Sequence, residues 1–66
     1  KYESSLASFD RALAESPGSI DARLAKARIL LMLDRRDEAE REALEAARVD
    51  STDVRVKAIL RKLGLR

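Results

Sequence analysis

"LAESPGSIDARLAKA", residues 13–27, sets the single proline of the chain and one of its two glycines between two runs rich in alanine and leucine. Pro17 lacks an N–H and biases Ser16 away from helical dihedrals, and Gly18 admits a left-handed turn. A helix arriving from the N-terminal side must therefore end here. Ser19 or Asp21 can cap a second helix immediately afterwards. The stretch reads as a tight joint between two helices, and the pattern on either side agrees.

Upstream, Tyr2, Leu6, Phe9 and Leu13 recur at spacings of four, three and four with Ala12 beside them, the apolar face of an amphipathic helix from Tyr2 to Glu15. Downstream, a helix to about Leu33 carries two apolar stripes. Ile20, Leu24, Ala27 and Leu31 form one, while Ala22, Ala25, Ile29 and Leu33 form another on roughly the opposite side. A helix apolar on two sides is packed from two sides, so this element is expected at the centre, touching the first helix and the third. Asp34-Arg35-Arg36-Asp37 reads as a polar joint. Glu38 to Arg48 is then a third helix whose buried face is small, made of Ala39, Ala43, Ala46 and Ala47. Asp50-Ser51-Thr52-Asp53 separates it from a last helix, Val54 to about Leu63, with Val56, Ile59, Leu60 and Leu63 inward and Gly64 as its stop. Four helices with joints this short imply antiparallel hairpins, an all-α fold.

Composition bounds what such a fold can do. A chain of 66 residues buries only about 60% of its unfolded surface, so its core needs help from outside. The chain begins Lys1-Tyr2 without a Met and is read as part of something longer. With neither Cys nor His, it has no disulfide, no thiolate, no Cys/His zinc site and no imidazole base. No run of about 18 apolar residues could span a membrane, and no stretch resembles a signal peptide. Fourteen basic side chains, ten of them Arg, against twelve acidic ones give a net charge of +2. That balance describes a mixed-charge solvated surface rather than a nucleic-acid binder.

Sliding the sequence by 34 residues lays Ser16-Pro17-Gly18-Ser19 on Asp50-Ser51-Thr52-Asp53 and Ala12 on Ala46. Thirty-four is the tetratricopeptide period. Tyr2, Ser5, Phe9, Ala12 and Pro17 resemble the aromatic, small, aromatic, small and proline spots in the second half of a tetratricopeptide repeat. After Ile20 the family places Trp, Leu, Gly and Tyr where this chain has Arg23, Lys26, Ala27 and Leu30. Only Ala27 and Leu30 fit that pattern, and Leu30 is expected to be buried between paired helices. "LDRRDEAEREALEAARVD", residues 33–50, resembles the usual turn and second helix. Ala39, Ala43 and Ala46 take its small, aromatic and small spots, and Ser51 takes the proline spot. The resemblance implies a right-handed α-solenoid fragment: residues 1–19 as the second half of a repeat, 20–53 as a complete repeat, and 54–66 as the first or capping helix of the next. Pro17 then closes a repeat. Without the resemblance, the same residues describe a generic helical hairpin protein.

Glu38, Glu42 and Glu45 lie at helical spacing, as an acid/base or metal site would need. They alternate with Arg41 and Arg48 on what reads as an exposed face, where Asp37 with Arg41 and Arg41 with Glu45 make i, i+4 pairs. No nucleophile, base or ligand set converges, so no enzyme, cofactor or metal is expected. RNA-reading helical repeats use stacking aromatics, whereas Tyr2 and Phe9 lie on an apolar helical face, which argues against nucleic acid.

Binding another polypeptide remains. In the resembled family the first helix of each repeat lines a concave groove, which would hold Asp21, Leu24, Arg28, Leu31 and Met32, then Arg55, Ala58 and Lys62, with Arg66 at the end. Such a groove suits an extended or helical segment with acidic side chains or a terminal carboxylate. The chaperone-tail clamps of the family use Lys and Asn where Leu24 and Arg28 stand, so that ligand is not expected. The alternative is a structural or oligomerising appendage. In that reading Tyr2, Leu6, Phe9 and Leu13 dock on a neighbouring domain or on a second copy, because solenoid units need about three repeats to bury their faces.

Overall fold

A computed structural model describes residues 1–64 of the chain. Four helices follow one another: α1 (Tyr2–Glu15), α2 (Ile20–Met32), α3 (Arg36–Val49) and α4 (Val54–Lys62), with no strand among the described residues. Ahead of Pro17, Ser16 leaves the helical region at φ −135° and ψ 80°, which ends α1. Gly18 does not turn left-handed: the Ser19 N–H donates to the Ser16 carbonyl at 3.0 Å, closing a turn around Pro17 and Gly18 that needs no positive φ at the glycine. Of the two candidate caps, Ser19 is the one used: its side chain accepts the Ala22 N–H at 3.3 Å. Asp21 instead lies in the first turn of α2, where a carboxylate faces the positive end of the helix dipole.

The left-handed residue sits in the next joint. Asp34 has φ 60°; the Asp34 N–H donates to the Leu31 carbonyl at 3.0 Å and the Arg35 N–H to the Leu30 carbonyl at 2.8 Å. This is the paired bonding of a Schellman motif, with aspartate in the place usually held by glycine. The reversal is complete within Leu33-Asp34-Arg35, so α3 begins at Arg36, two residues before the expected Glu38. Polarity at Arg36 and Asp37 marks the exposed first turn of a helix rather than a joint. Gly64, at φ 80°, does end α4 as expected.

At the centre lies α2, packed against α1, α3 and α4. Leu24, Ala27 and Leu30 from α2 join Leu6, Ala39, Ala43, Ala46, Val56, Ile59, Leu60 and Leu63 in one core. Ile20, Ile29, Leu31 and Leu33 pack partly buried around it, so the two stripes merge around Leu30, which is 1% exposed. Ala39, Ala43 and Ala46 are wholly buried; with no atoms beyond Cβ they present a flat face to α2. Methyl faces of this kind allow close helix approach, and the expected Ala47 sits at the margin.

The 34-residue offset recurs in the backbone. α1 and α3 each span 14 residues, from Tyr2 and Arg36, and α2 and α4 start at Ile20 and Val54. Ser16 donates to Ala12 at 2.9 Å as Asp50 does to Ala46 at 3.1 Å, and Ser19 donates to Ser16 at 3.0 Å as Asp53 does to Asp50 at 3.4 Å. Two chemistries make the same turn. Where the first joint has Pro17, the second has the Asp50 carboxylate accepting the Thr52 N–H at 2.9 Å and the Thr52 hydroxyl at 2.6 Å.

Candidate functional site

Packing of α4 against α2 leaves a concavity of about 420 Å³ between them, lined by Arg28, Leu31, Met32, Arg55, Ala58, Ile59 and Lys62. Its apolar floor is Leu31, Met32, Ala58 and Ile59, and Met32 is 65% exposed in spite of its size. Three cations stand around that floor. Among the described residues, neither Arg28 nor Lys62 has an ion-pair partner. Arg55 is engaged twice, by Asp53 at 2.9 Å and by Asp21 of α2. Hydrogen bonding to Asp53 first, and to Asp21 second, raises the pKa of Arg55, and the Arg55 contact holds Asp53 below the usual carboxylate range.

Of the residues expected in a groove, Arg28, Leu31, Met32, Arg55, Ala58 and Lys62 lie together here, with Asp21 beside them through its contact with Arg55. Leu24 does not line this surface. At 4% exposure it belongs to the core, because its side of α2 is covered by the neighbouring helices. Ile59, expected on the inward side of α4, is in the core and also reaches the concavity floor. Arg66 falls outside the described residues. On α1, Leu6 is buried, Phe9 and Leu13 are half-buried, and Tyr2 is 43% exposed. Leu6 is therefore already covered by its own chain and does not belong to an open face.

A second constellation joins three helices. Glu42 of α3 accepts from Arg23 at 3.1 Å and pairs with Lys26 at 3.3 Å, both on α2, while Lys26 also meets Asp10 of α1 at 2.5 Å. The Arg23 and Lys26 side chains are each 18% exposed and Glu42 only 14%. Arg23 donates as well to the Pro17 carbonyl at 3.1 Å, tying the first joint to α3, while its Nε is buried without a partner. Burial opposes the charge on Lys26, but Asp10 and Glu42 together outweigh it and raise its pKa.

Glu42 thus leaves the solvated face on which it was expected. Nor do the expected pairs of Arg41 with Asp37 and Glu45 form: α3 pairs Arg36 with Glu40 at 3.5 Å and Arg48 with Glu45 at 3.4 Å, and Glu38 goes to Arg35 at 2.7 Å. The signal for Glu42 was present in its position. Ala39, Glu42, Ala43 and Ala46 are one helical face, so the carboxylate stands among the buried alanines. Arg23 and Lys26, meanwhile, occupy the spots that the resembled family fills with Trp and Leu.

Among the described residues, no group of three His, Cys, Asp or Glu is placed to hold a metal ion, and no helix is long and apolar enough to cross a membrane. The model of the family described as Tetratricopeptide repeat matches residues 1–63. The chain belongs to the tetratricopeptide-repeat family. No curated protein and no solved structure gave a significant match. Repeats of this family generally mediate protein–protein interaction and are typically non-catalytic, and membership implies protein partners in general.

Proposed function

We propose that the chain is an interaction module whose α2/α4 concavity binds a peptide or protein segment bearing carboxylates. Its organisation is a closing half repeat over residues 1–19, a full repeat over 20–53 and the opening helix of another from 54. The recurrence of helix starts and joint hydrogen bonds at 34 residues supports that division. One observation carries the binding reading: an apolar floor of Leu31, Met32, Ala58 and Ile59 lies between Arg28 and Lys62, and neither cation has an ion-pair partner among the described residues. Apolar side chains of a ligand can bury themselves there while its carboxylates meet the cations.

Fluorescence anisotropy with a labelled peptide of alternating glutamate and leucine, beside its glutamine–leucine counterpart, tests the reading. The acidic peptide binds more tightly, the preference shrinks with added salt, and Arg28→Glu or Lys62→Glu each weakens binding by roughly threefold to tenfold. Equal affinity for the two peptides, or indifference to both substitutions, rejects it.

A second reading rests on the position of α1, which packs against α2 alone among the helices. Tyr2 is left exposed and Phe9 and Leu13 half-covered, and their full burial is worth roughly 1.5 to 3 kcal/mol each for the larger side chains. In this reading the module docks through α1, on a neighbouring domain or on a second copy of itself.

A further inference from the structure

Arg55 is the third cation of the concavity and the one already spoken for. Its Nε and Nη2 donate to the two oxygens of Asp53 at 3.2 and 2.9 Å, and its Nη1 donates to Asp21 across the gap between α4 and α2. These two carboxylates are held very differently. The Asp53 side chain is 15% exposed and also accepts the Arg55 backbone N–H at 2.8 Å as the cap of α4, so removing it would uncap a helix. Asp21 is 80% exposed and, among the described residues, makes no other side-chain hydrogen bond. Among the described residues, only Arg55 and the dipole of α2 hold its carboxylate in place.

We propose that Asp21 is a built-in competitor for the ligand: it occupies the Nη1 side of Arg55 until an incoming carboxylate displaces it. The inference rests on the groove reading above. Neutral and weakly acidic segments then meet only Arg28 and Lys62, whereas a ligand carboxylate that reaches the α4 end of the groove gains Arg55 as well. Displacement costs little, because an exposed ion pair contributes little and the released Asp21 is rehydrated. The ligand carboxylate gains more from the same cation, since the bound segment excludes water from the contact. Asp53 stays in place throughout and keeps the guanidinium plane oriented towards α2. Asp21 therefore sets a threshold of carboxylate density below which Arg55 takes no part in binding.

The same labelled glutamate–leucine peptide, titrated against the wild-type chain, Asp21→Asn, Arg55→Gln and the double variant, tests this. Circular dichroism confirms that each variant is helical. Asp21→Asn tightens binding roughly twofold to fivefold, the scale of one exposed ion pair. In the Arg55→Gln background the same change has little effect, because the competition runs through that guanidinium. A gain of equal size in both backgrounds would reflect general removal of negative charge and overturns the inference. So does a peptide that binds the wild-type chain but ignores Asp21→Asn, and in that case the groove reading survives. If neither the wild-type chain nor Asp21→Asn binds the acidic peptide, both readings fall.

Discussion

Glu42 answers two cations of α2 with a single carboxylate, and its side chain is 14% exposed, so what happens when it is neutralised differs from what happens when the whole cluster is replaced. Glu42→Gln leaves Arg23 and Lys26 beside a partner without charge; in urea denaturation it is expected to cost about 1 to 3 kcal/mol, less than a fully buried pair because water still reaches the edge. Replacing Arg23, Lys26 and Glu42 together by leucine removes the desolvation cost along with the attraction, and the triple variant is expected to be as stable as the natural chain or more so. A triple variant less stable than Glu42→Gln would show that the ions contribute net stability here. Leu30, at 1% exposure, gives the apolar comparison: Leu30→Ala should cost about 2 to 5 kcal/mol, a large share of what so small a core supplies. At this scale the sequence was unevenly legible. Leu30 could be placed from the spot it takes in the resembled family. Glu42 was misplaced because its charge outweighed its position among Ala39, Ala43 and Ala46.

Two helices start on capping side chains, α2 on Ser19 and α4 on Asp53, and the joint that leads into α4 is sensitive to acid. Hydrogen bonds from Arg55 hold Asp53 below the ordinary carboxylate range, and those from Thr52 do the same for Asp50. A carboxylate whose folded pKa is depressed contributes stability that is present above its unfolded value, about 3.9, and lost as pH falls through the folded one. Denaturant midpoints should therefore hold from neutral pH to about pH 5 and fall as the pH drops through about 4 and below. Asp53→Asn keeps a capping oxygen but not the charge, so its acid loss should be smaller, and an unchanged acid limb would mean that Asp53 is not a source of it. Ser19→Ala, at the start of α2, should cost about 1 kcal/mol at every pH, since no titrating group is removed. The bounds of α1 and α4 were readable because proline, glycine and capping residues mark them physically. The start of α3 was not, since the stop signal of α2 just before it is an aspartate at φ 60° and α3 itself has no capping side chain. Aspartate adopts that conformation seldom enough that its presence does not announce it.

Across the whole molecule, α2 is shared by three neighbours while α1 rests on one. That asymmetry is what self-association would use. If α1 is a docking face, sedimentation of the chain at tens of micromolar should show a species heavier than the monomer, and Phe9→Glu should return it to the monomer. A wild-type chain that stays monomeric rejects this second reading and leaves the groove untouched. The solenoid organisation was legible at this scale because period is a property of the entire sequence, whereas the concavity depends on how α4 sits on α2, which only coordinates supply. The two ends of the chain are also tied down unequally. α1 is held outside its packing on α2 by two ionic contacts, Asp10 to Lys26 and Glu3 to Arg35. α4 packs on both α2 and α3, and Arg36 donates to the Leu63 carbonyl at 2.6 Å, tying the far end of α4 to the first turn of α3. Amide protons of α1 should therefore exchange with solvent ahead of those in α4, and a chain pulled by its two ends should peel from Tyr2 inward, with α4 still seated when α1 has let go.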